Sequence, residues 1–290
     1  MFNNSMNLSI LIATKDREKN LLKLLSSLAN SVKHPYEVII VSSGVKLGHT
    51  LKKYNSILNI KYMHVEIKSQ VHQKKMGIKN VAKNSDWVMF CDDDLEFLPD
   101  TISNIIQVCS DSNNDIGGIG FNVILNPISQ NKISWRLRFL RKPGKLRKNG
   151  VTNNYLGTHK KIETMWLNGA SLWRAQIVGQ YNPRLPRPEY AAYEDVFFSY
   201  NVGRFKKLIY DPKLRLLSQP EANINQSHFV NFRALTLNRI AFVKKYKEFS
   251  TFNLYIYEFL RLLKIILSNT PEKKSKIQFL IKILLSFNKF

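Results

Sequence analysis

The stretch Trp87-Val88-Met89-Phe90-Cys91-Asp92-Asp93-Asp94-Leu95-Glu96-Phe97-Leu98-Pro99 decides how this chain reads. Trp87 to Cys91 is an unbroken apolar run, the pattern of a short strand buried on both faces. It runs straight into three aspartates. Like charges crowded at a strand end repel, so holding them there costs free energy unless a cation or hydrogen-bond donors compensate. Hard carboxylate oxygens suit Mg²⁺ or Mn²⁺, ions that also accept phosphate oxygens into their shell. Strand alternation aims Asp92 and Asp94 to one side and Asp93 to the other. The plain alternative is a solvated acidic turn with a helix cap at Asp94 or Asp100.

Upstream, strand and helix signals alternate. Leu8 to Ala13 is a buried-strand run, and Glu18 to Ala29 places Leu21, Leu22, Leu24, Leu25 and Leu28 for one helix face. Glu37 to Val41 reads as a second buried strand ending at Ser42-Ser43-Gly44, and a third is expected near Ile60 to Val65. A helix follows around His72 to Ala82, which makes Trp87 to Cys91 the fourth strand. This order predicts a parallel sheet with helices on both faces, whose ligands bind beyond the carboxyl ends of the strands. Thr14 to Arg17, Ser42 to Gly44 and Asp92 to Asp94 all fall at such ends.

Downstream, Lys132 to Lys161 holds ten Lys and Arg and no acid, with Pro143-Gly144 and Asn149-Gly150 as turn signals, and reads as a basic excursion or mobile loop. Order returns at Met165 to Ala170. A proline-rich turn, Asn182 to Pro188, precedes Glu194-Asp195, and a helix is expected over Val196 to Val202. An acid at that helix start fits either a general base toward a substrate hydroxyl or a simple favourable helix-dipole position. The chain ends in two helical stretches, Tyr255 to Leu267 and Ile277 to Leu285. Glu258, Arg261 and Lys264 share one face of the first. Two placements suit this pair: a basic amphipathic surface on an anionic membrane, or a helical hairpin packed on the rest with its lysines in solvent.

The 290 residues suffice for a sizeable core, and 44% hydrophobic with 22% charged content is ordinary for a globular chain. The net charge of +23 is not ordinary and favours anionic partners, although part of the lysine excess serves solubility alone. Cys91 and Cys109 form no CxxC pair, and the histidine spacing suggests no zinc site, which fits a reduced, cytoplasmic setting. The first twenty residues lack a secretory pattern, and no uncharged apolar run reaches the roughly 18 residues a spanning helix needs. A peripheral position at the inner face of the cell membrane is compatible with this.

Taken together, these motifs resemble the family 2 glycosyltransferases, bacterial enzymes of the GT-A fold. Ser9 to Arg17 is similar to the family's first strand and T-x-N-R turn, Glu37 to Val41 to its second strand, and Trp87 to Pro99 to its strand, DxD motif and trailing proline. Asn168-Gly169-Ala170, the Glu194-Asp195 pair, Ile209-Tyr210-Asp211-Pro212, and Asn238-Arg239 before Phe242 to Tyr246 continue the match over roughly residues 7–250. The resemblance implies an α/β GT-A fold. Residues 1–125 would form the nucleotide-sugar half, 126–225 the acceptor half with basic loop 132–161, and 226–290 a helical extension.

The resemblance also implies roles. Asp94, with Asp92, would hold Mn²⁺ or Mg²⁺ against the donor diphosphate, and Asp93 or Asp92 would reach the ribose. Thr14, Asp16 and Arg17 would line the nucleotide pocket, and Lys74 would meet the diphosphate. Trp166, Asn168 and Gly169 would face the acceptor, a glycan or lipid-linked glycan. Asp195 would deprotonate its hydroxyl with Glu194 in support, inverting the anomeric configuration. Three departures stand out. Ser42 occupies the position of a base-reading Asp, which leaves UDP, dTDP and GDP sugars open as donors. The A-R-N-x-G segment is Gln73-Lys74-Lys75-Met76-Gly77. Ser218 replaces a metal-site His, for which His228 is the candidate substitute. Rival readings are a HAD-type phosphatase, a non-catalytic basic binder of membrane or nucleic acid, and an inactive GT-A homologue. The first expects its DxD near the N-terminus, and dispersed charge without a readout element argues against nucleic acid.

Overall fold

The computed structural model describes residues 6–124, 142–187, 191–219 and 227–287. Nine strands join one sheet: β1 Leu8–Lys15, β2 Glu37–Ser43, β3 Ile60–His64, β4 Trp87–Asp92, β5 Leu95–Phe97, β6 Ile116–Ile124, β7 Ile162–Thr164, β8 Ser171–Arg174 and β9 Lys207–Ser218. Their order is β3-β2-β1-β4-β8-β6-β9-β5, with β7 on β9. The β3-β2-β1-β4 half is parallel throughout. β8 then enters antiparallel between β4 and β6, while β6 and β9 pair parallel.

The parallel half follows from its composition. Every residue of Leu8–Thr14 and Glu37–Ser43 is buried, as a strand covered on both faces requires. Helix α1, Glu18–Ala29, buries Leu21, Leu24, Leu25 and Leu28, the leucines whose spacing marks one face. A short turn of helix, α2 Gly48–Leu51, precedes β3, and α3, Gln70–Ile78, covers β1 and β2. Helices α4, Thr101–Ser110, α5, Ala175–Val178, and α6, Glu194–Gly203, complete the layers around the sheet. Cys91 and Cys109 are both unpaired and buried.

The basic segment differs from its expectation. Residues 132–141 of it lie outside the described residues. Residues 142–161 pack inward: Leu146 bridges to Thr152, and Tyr155 is fully buried against Trp166 and Tyr210. The lysines are carried on the outer side of a segment whose aromatic anchor sits in the core.

Three helices close the chain: α7 His228–Lys245, α8 Thr251–Ile266 and α9 Lys273–Leu285. They pack on one another, and α7 joins an aromatic cluster of Tyr193, Phe197, Phe242 and Tyr246. Ser227 and Ser250 cap α7 and α8 by accepting backbone N–H groups. Glu258 and Arg261 of α8 turn inward, while Lys264 on the same face stays exposed. Glu258 is fully buried and accepts from Arg239 of α7 at 2.8 Å and from Arg261 at 3.1 Å. The two last helices form a hairpin packed on α7, with this ion cluster at its seam. No helix among the described residues is long and apolar enough to cross a membrane.

Breaking a buried ion cluster strands its remaining charge. Glu258→Ala leaves Arg239 without its carboxylate and should lower unfolding free energy by about 3–5 kcal/mol, whereas a Gln at 258 costs less. Urea denaturation with an unchanged m-value checks this; a loss below about 0.5 kcal/mol would contradict it.

Candidate active site

The carboxyl ends of β1, β2 and β4 meet at the aspartate triad. Asp93 is buried and points back into the fold, as alternation requires. One oxygen accepts from Thr14 Oγ1 at 2.6 Å, the other from Arg17 at 2.7 Å. Arg17 spans to Asp94 at 3.1 Å, so one guanidinium ties two of the three carboxylates to the β1 turn. Burial pushes the Asp93 carboxyl up to about 7, against the opposing pull of Arg17 and Thr14. Asp93 is therefore a clamp between β4 and β1.

Asp92 and Asp94 lie on the opposite side and are half-buried. Asp92 accepts from Gln70 Nε2 at 3.2 Å. Burial raises its pKa; Lys74 opposes the rise, and Asp94 and Glu194 add to it. The loop between β7 and β8 rests directly on this carboxylate. A Cβ at Gly169 would stand 2.3 Å from Asp92 Oδ2, so only glycine lets the backbone approach so closely. The Asp94 carbonyl accepts from Gln219 N at 2.7 Å, which brings the end of β9 onto the triad.

The second acidic pair reaches the same place from α6. Tyr193, the residue before the helix, has φ of +78°, a left-handed conformation unfavourable for a residue with a Cβ. It is held there by burial, by its hydroxyl donating to the Gly150 carbonyl, and by Asn238 donating to the Ala192 carbonyl at 2.8 Å. This bend turns Glu194 into the core and leaves Asp195 half-exposed. Glu194 is held on both oxygens, by Lys74 Nζ at 2.5 Å and by Tyr181 Oη at 2.5 Å. Asp195 accepts the Val196 N–H at 2.8 Å. Burial and the Glu194 charge push Asp195 up to about 7, and Asp92 contributes in the same direction. Each acidic group thus feels the other across the site.

Several expected roles change. Lys74 is only 1% exposed and lies over the Phe90 ring while paired to Glu194, so it is not presented to a diphosphate. Burial works against its ammonium form, but Glu194 and then Asp92 outweigh it and raise its pKa. Glu194 is correspondingly a fixed partner of Lys74. Ser42 is buried, its hydroxyl shared with Tyr62 Oη at 2.9 Å and His64 Nδ1 at 3.2 Å. Asp16, at φ +53°, accepts from Val45 N at 3.0 Å and clasps the β2 turn. Trp166 packs on Tyr155 and donates to the Asn153 carbonyl at 3.3 Å. Asn168 is gripped by Tyr155 Oη, which accepts from its N–H at 2.8 Å and donates to its Oδ1 at 3.1 Å.

His228 stands exposed in the first turn of α7, where its charged neighbour is Glu272. Among the described residues, no three His, Cys, Asp or Glu side chains converge as a metal cage, so His228 does not complete one with the triad. The donors that remain are Asp92 and Asp94. Two carboxylates plus phosphate oxygens and water are the set on which Mg²⁺-type ions are commonly held. Gln73 and Gln219 escaped the sequence reading. Gln73 Nε2 donates to the Thr14 and Val41 carbonyls at 2.6 and 2.9 Å, locking β1 to β2, and buried glutamines carry no periodicity signal.

Residues 9–168 match the family model described as glycosyl transferase family 2. The chain is 33% identical over 103 residues to the uncharacterized glycosyltransferase YwdF of Bacillus subtilis (strain 168), covering 35% of this chain and 38% of that protein. The fold is similar to S. aureus TarS 1-349 in complex with UDP-GlcNAc, with a TM-score of 0.57, 15% identity, and coverage of 97% of this chain and 73% of that one. Against the longer TarS chain it spans 43% of the length. The mannosyltransferase PcManGT from Pyrobaculum calidifontis, in complex with GDP-Man and Mn²⁺, gives a TM-score of 0.56 at 12% identity, covering 96% and 69%. At these identities the structural likeness is one of fold.

The buried pair generates a double-mutant test. Lys74→Met alone should cost about 3–5 kcal/mol by stranding Glu194, and adding Glu194→Met should recover most of that loss. Losses that simply add in denaturant titrations would contradict the pairing.

Proposed function

The chain belongs to glycosyl transferase family 2, and on that premise we propose that it moves a sugar from a nucleotide-sugar donor to an acceptor hydroxyl by a single inverting displacement, with Asp195 as the base. The observation that carries this reading is the position of Asp195. It stands half-exposed at the head of α6, ahead of the Lys74–Glu194–Tyr181 anchor and within the field of Asp92.

The acceptor O–H proton passes to the Asp195 carboxylate. The oxygen lone pair forms the new bond to the anomeric carbon. The bond from that carbon to the diphosphate oxygen breaks, and its electron pair leaves with the nucleoside diphosphate. Attack from the face opposite the leaving group inverts the configuration. Asp92 and Asp94 would hold a divalent cation, Mn²⁺ or Mg²⁺, whose charge offsets the one that builds on the departing diphosphate. The Mn²⁺ and GDP-Man of PcManGT and the UDP-GlcNAc of TarS support this donor class. Thr14 and Arg17 fix Asp93, and so set where the other two carboxylates project. The Asn168–Ala170 loop, held by Tyr155 and pressed on Asp92, forms the wall toward the acceptor, a glycan or lipid-linked glycan.

A base works only when ionised. With Asp195 raised to about 7, its ionised fraction climbs with pH and levels off above that value. We expect kcat/KM to fall about tenfold per unit below the plateau. A flat profile down to pH 5 would remove Asp195 from the role.

Asp195→Asn should cut kcat by about a thousandfold while UDP or GDP still raises the melting temperature in the presence of Mn²⁺. Chelation should stop transfer and added Mn²⁺ or Mg²⁺ restore it. Full turnover in chelator, or by the Asn variant, overturns this mechanism.

A further inference from the structure

The inward turn of the charges on α8 has a counterpart on its other side. With Glu258 and Arg261 spent on the seam, the apolar residues exposed on its outside include Phe252, Ile256, Phe259, Leu260, Leu263 and Leu267. Their spacing of three and four residues stacks them along one line of the helix, about 24 Å long at 1.5 Å per residue. Leu260 is 57% exposed, Phe252 69% and Leu267 88%. The opposite side of the same helix buries Leu254, Leu262 and Ile265. A helix that is apolar on both sides normally lies within a core. Here one side meets α7 and α9, while much of the other stays exposed among the described residues.

Within the helices, the exposed charges near this stripe are cationic. Glu258 is the only acid in α8, it is buried, and α9 has none. The exposed charges of the two helices are therefore lysines: Lys264 beside the stripe, and Lys274 and Lys282 on α9. On the same flank, Arg147 and Lys148 line a hollow of about 280 Å³ with Asn253, Ile256 and Leu260. A second cleft of about 500 Å³ sets Arg261, Lys264 and Lys276 next to Phe232 and Leu260.

We propose that the outer face of α8 docks on an anionic lipid bilayer, its apolar line entering the headgroup boundary and its cationic flank meeting lipid phosphates. The combination of a long apolar line and a rim dominated by lysine and arginine, with exposed acids only at the helix ends (Glu248 and Glu272), is the one an interfacial helix presents. A second copy of this chain fits less well. A two-fold contact would bring the same cationic flank against itself. The inference goes beyond sugar transfer and does not depend on it. It also gives the surface a route to the site, because α7, on which α8 packs, holds the Ala192 carbonyl ahead of Glu194 and Asp195.

Flotation of the full chain with phosphatidylcholine vesicles, and with equal mixtures of phosphatidylcholine and phosphatidylglycerol, tests it. Binding is expected on the mixed vesicles and to be at least about tenfold weaker on neutral ones. Leu260→Glu with Leu263→Glu should lower it by about tenfold or more at an unchanged melting temperature and unchanged nucleotide binding. A dye on Leu263→Cys gives a second readout, selective because Cys91 and Cys109 are buried. Its emission should shift to the blue only with anionic vesicles. Undiminished binding by the double variant, or an unshifted dye, overturns the proposal. So does a wild-type dimer by light scattering that the double variant turns into monomer, since the stripe is then an interface between copies.

Discussion

The buried pairing of Lys74 with Glu194 joins the parallel half of the sheet to the helix that delivers Asp195. Neither side chain reaches solvent, and Tyr181 takes the remaining Glu194 oxygen. Two charges removed from water survive only with close geometry and satisfied hydrogen bonds, and this pair has both. The geometric consequence is large. Lys74 comes from α3, packed on β1 and β2, while Glu194 begins α6 far along the chain. The pair therefore fixes the distance between the end of the parallel half of the sheet and the residue next to Asp195. The left-handed turn at Tyr193 is affordable because this anchor, together with Asn238, determines the chain on either side of it.

Around that anchor the site is an excess of negative charge kept in place by a few cations. Arg17 addresses Asp93 and Asp94, and Lys74 addresses Glu194 with its field extending to Asp92 and Asp195. Burial, with the compensation only partial, pushes the carboxyls of Asp93 and Asp195 up to about 7. An arrangement that is under-neutralised in isolation is well matched to a ligand that brings a cation with it. It also separates labour among neighbours: Asp93 and Glu194 are spent on construction, while Asp92, Asp94 and Asp195 remain half-exposed.

Much of the fold was legible in local pattern. The leucine spacing of α1 marks its true limits, and the unbroken apolar runs of β1, β2 and β4 reflect burial on both faces. What stayed hidden depends on partners distant in the chain. Lys74 reads as a diphosphate contact until Glu194, 120 residues away, is seen to neutralise it. Glu258, Arg261 and Lys264 share one face by their spacing, which does not say that Glu258 is buried while Lys264 is exposed. Only the presence of Arg239 on α7 makes an inward Glu258 tolerable. The lysine-rich stretch before β7 suggests a solvated loop, since composition counts its cations and not the single tyrosine that roots it. Ser42 falls at the right strand end, yet Tyr62 and His64 from the adjacent strand claim its hydroxyl.

The contact of Gly169 with Asp92 carries a consequence for how such a protein can diversify. On the proposed mechanism, the loop toward the acceptor is also the back wall of a donor-side carboxylate, with no side chain between them. Any change that lifts or tilts the loop to admit a different acceptor moves Asp92 as well, and with it the grip on the donor. Acceptor preference and donor handling are thus geared together at that point. New acceptor specificities are easier to reach through the walls on either side than through the loop itself.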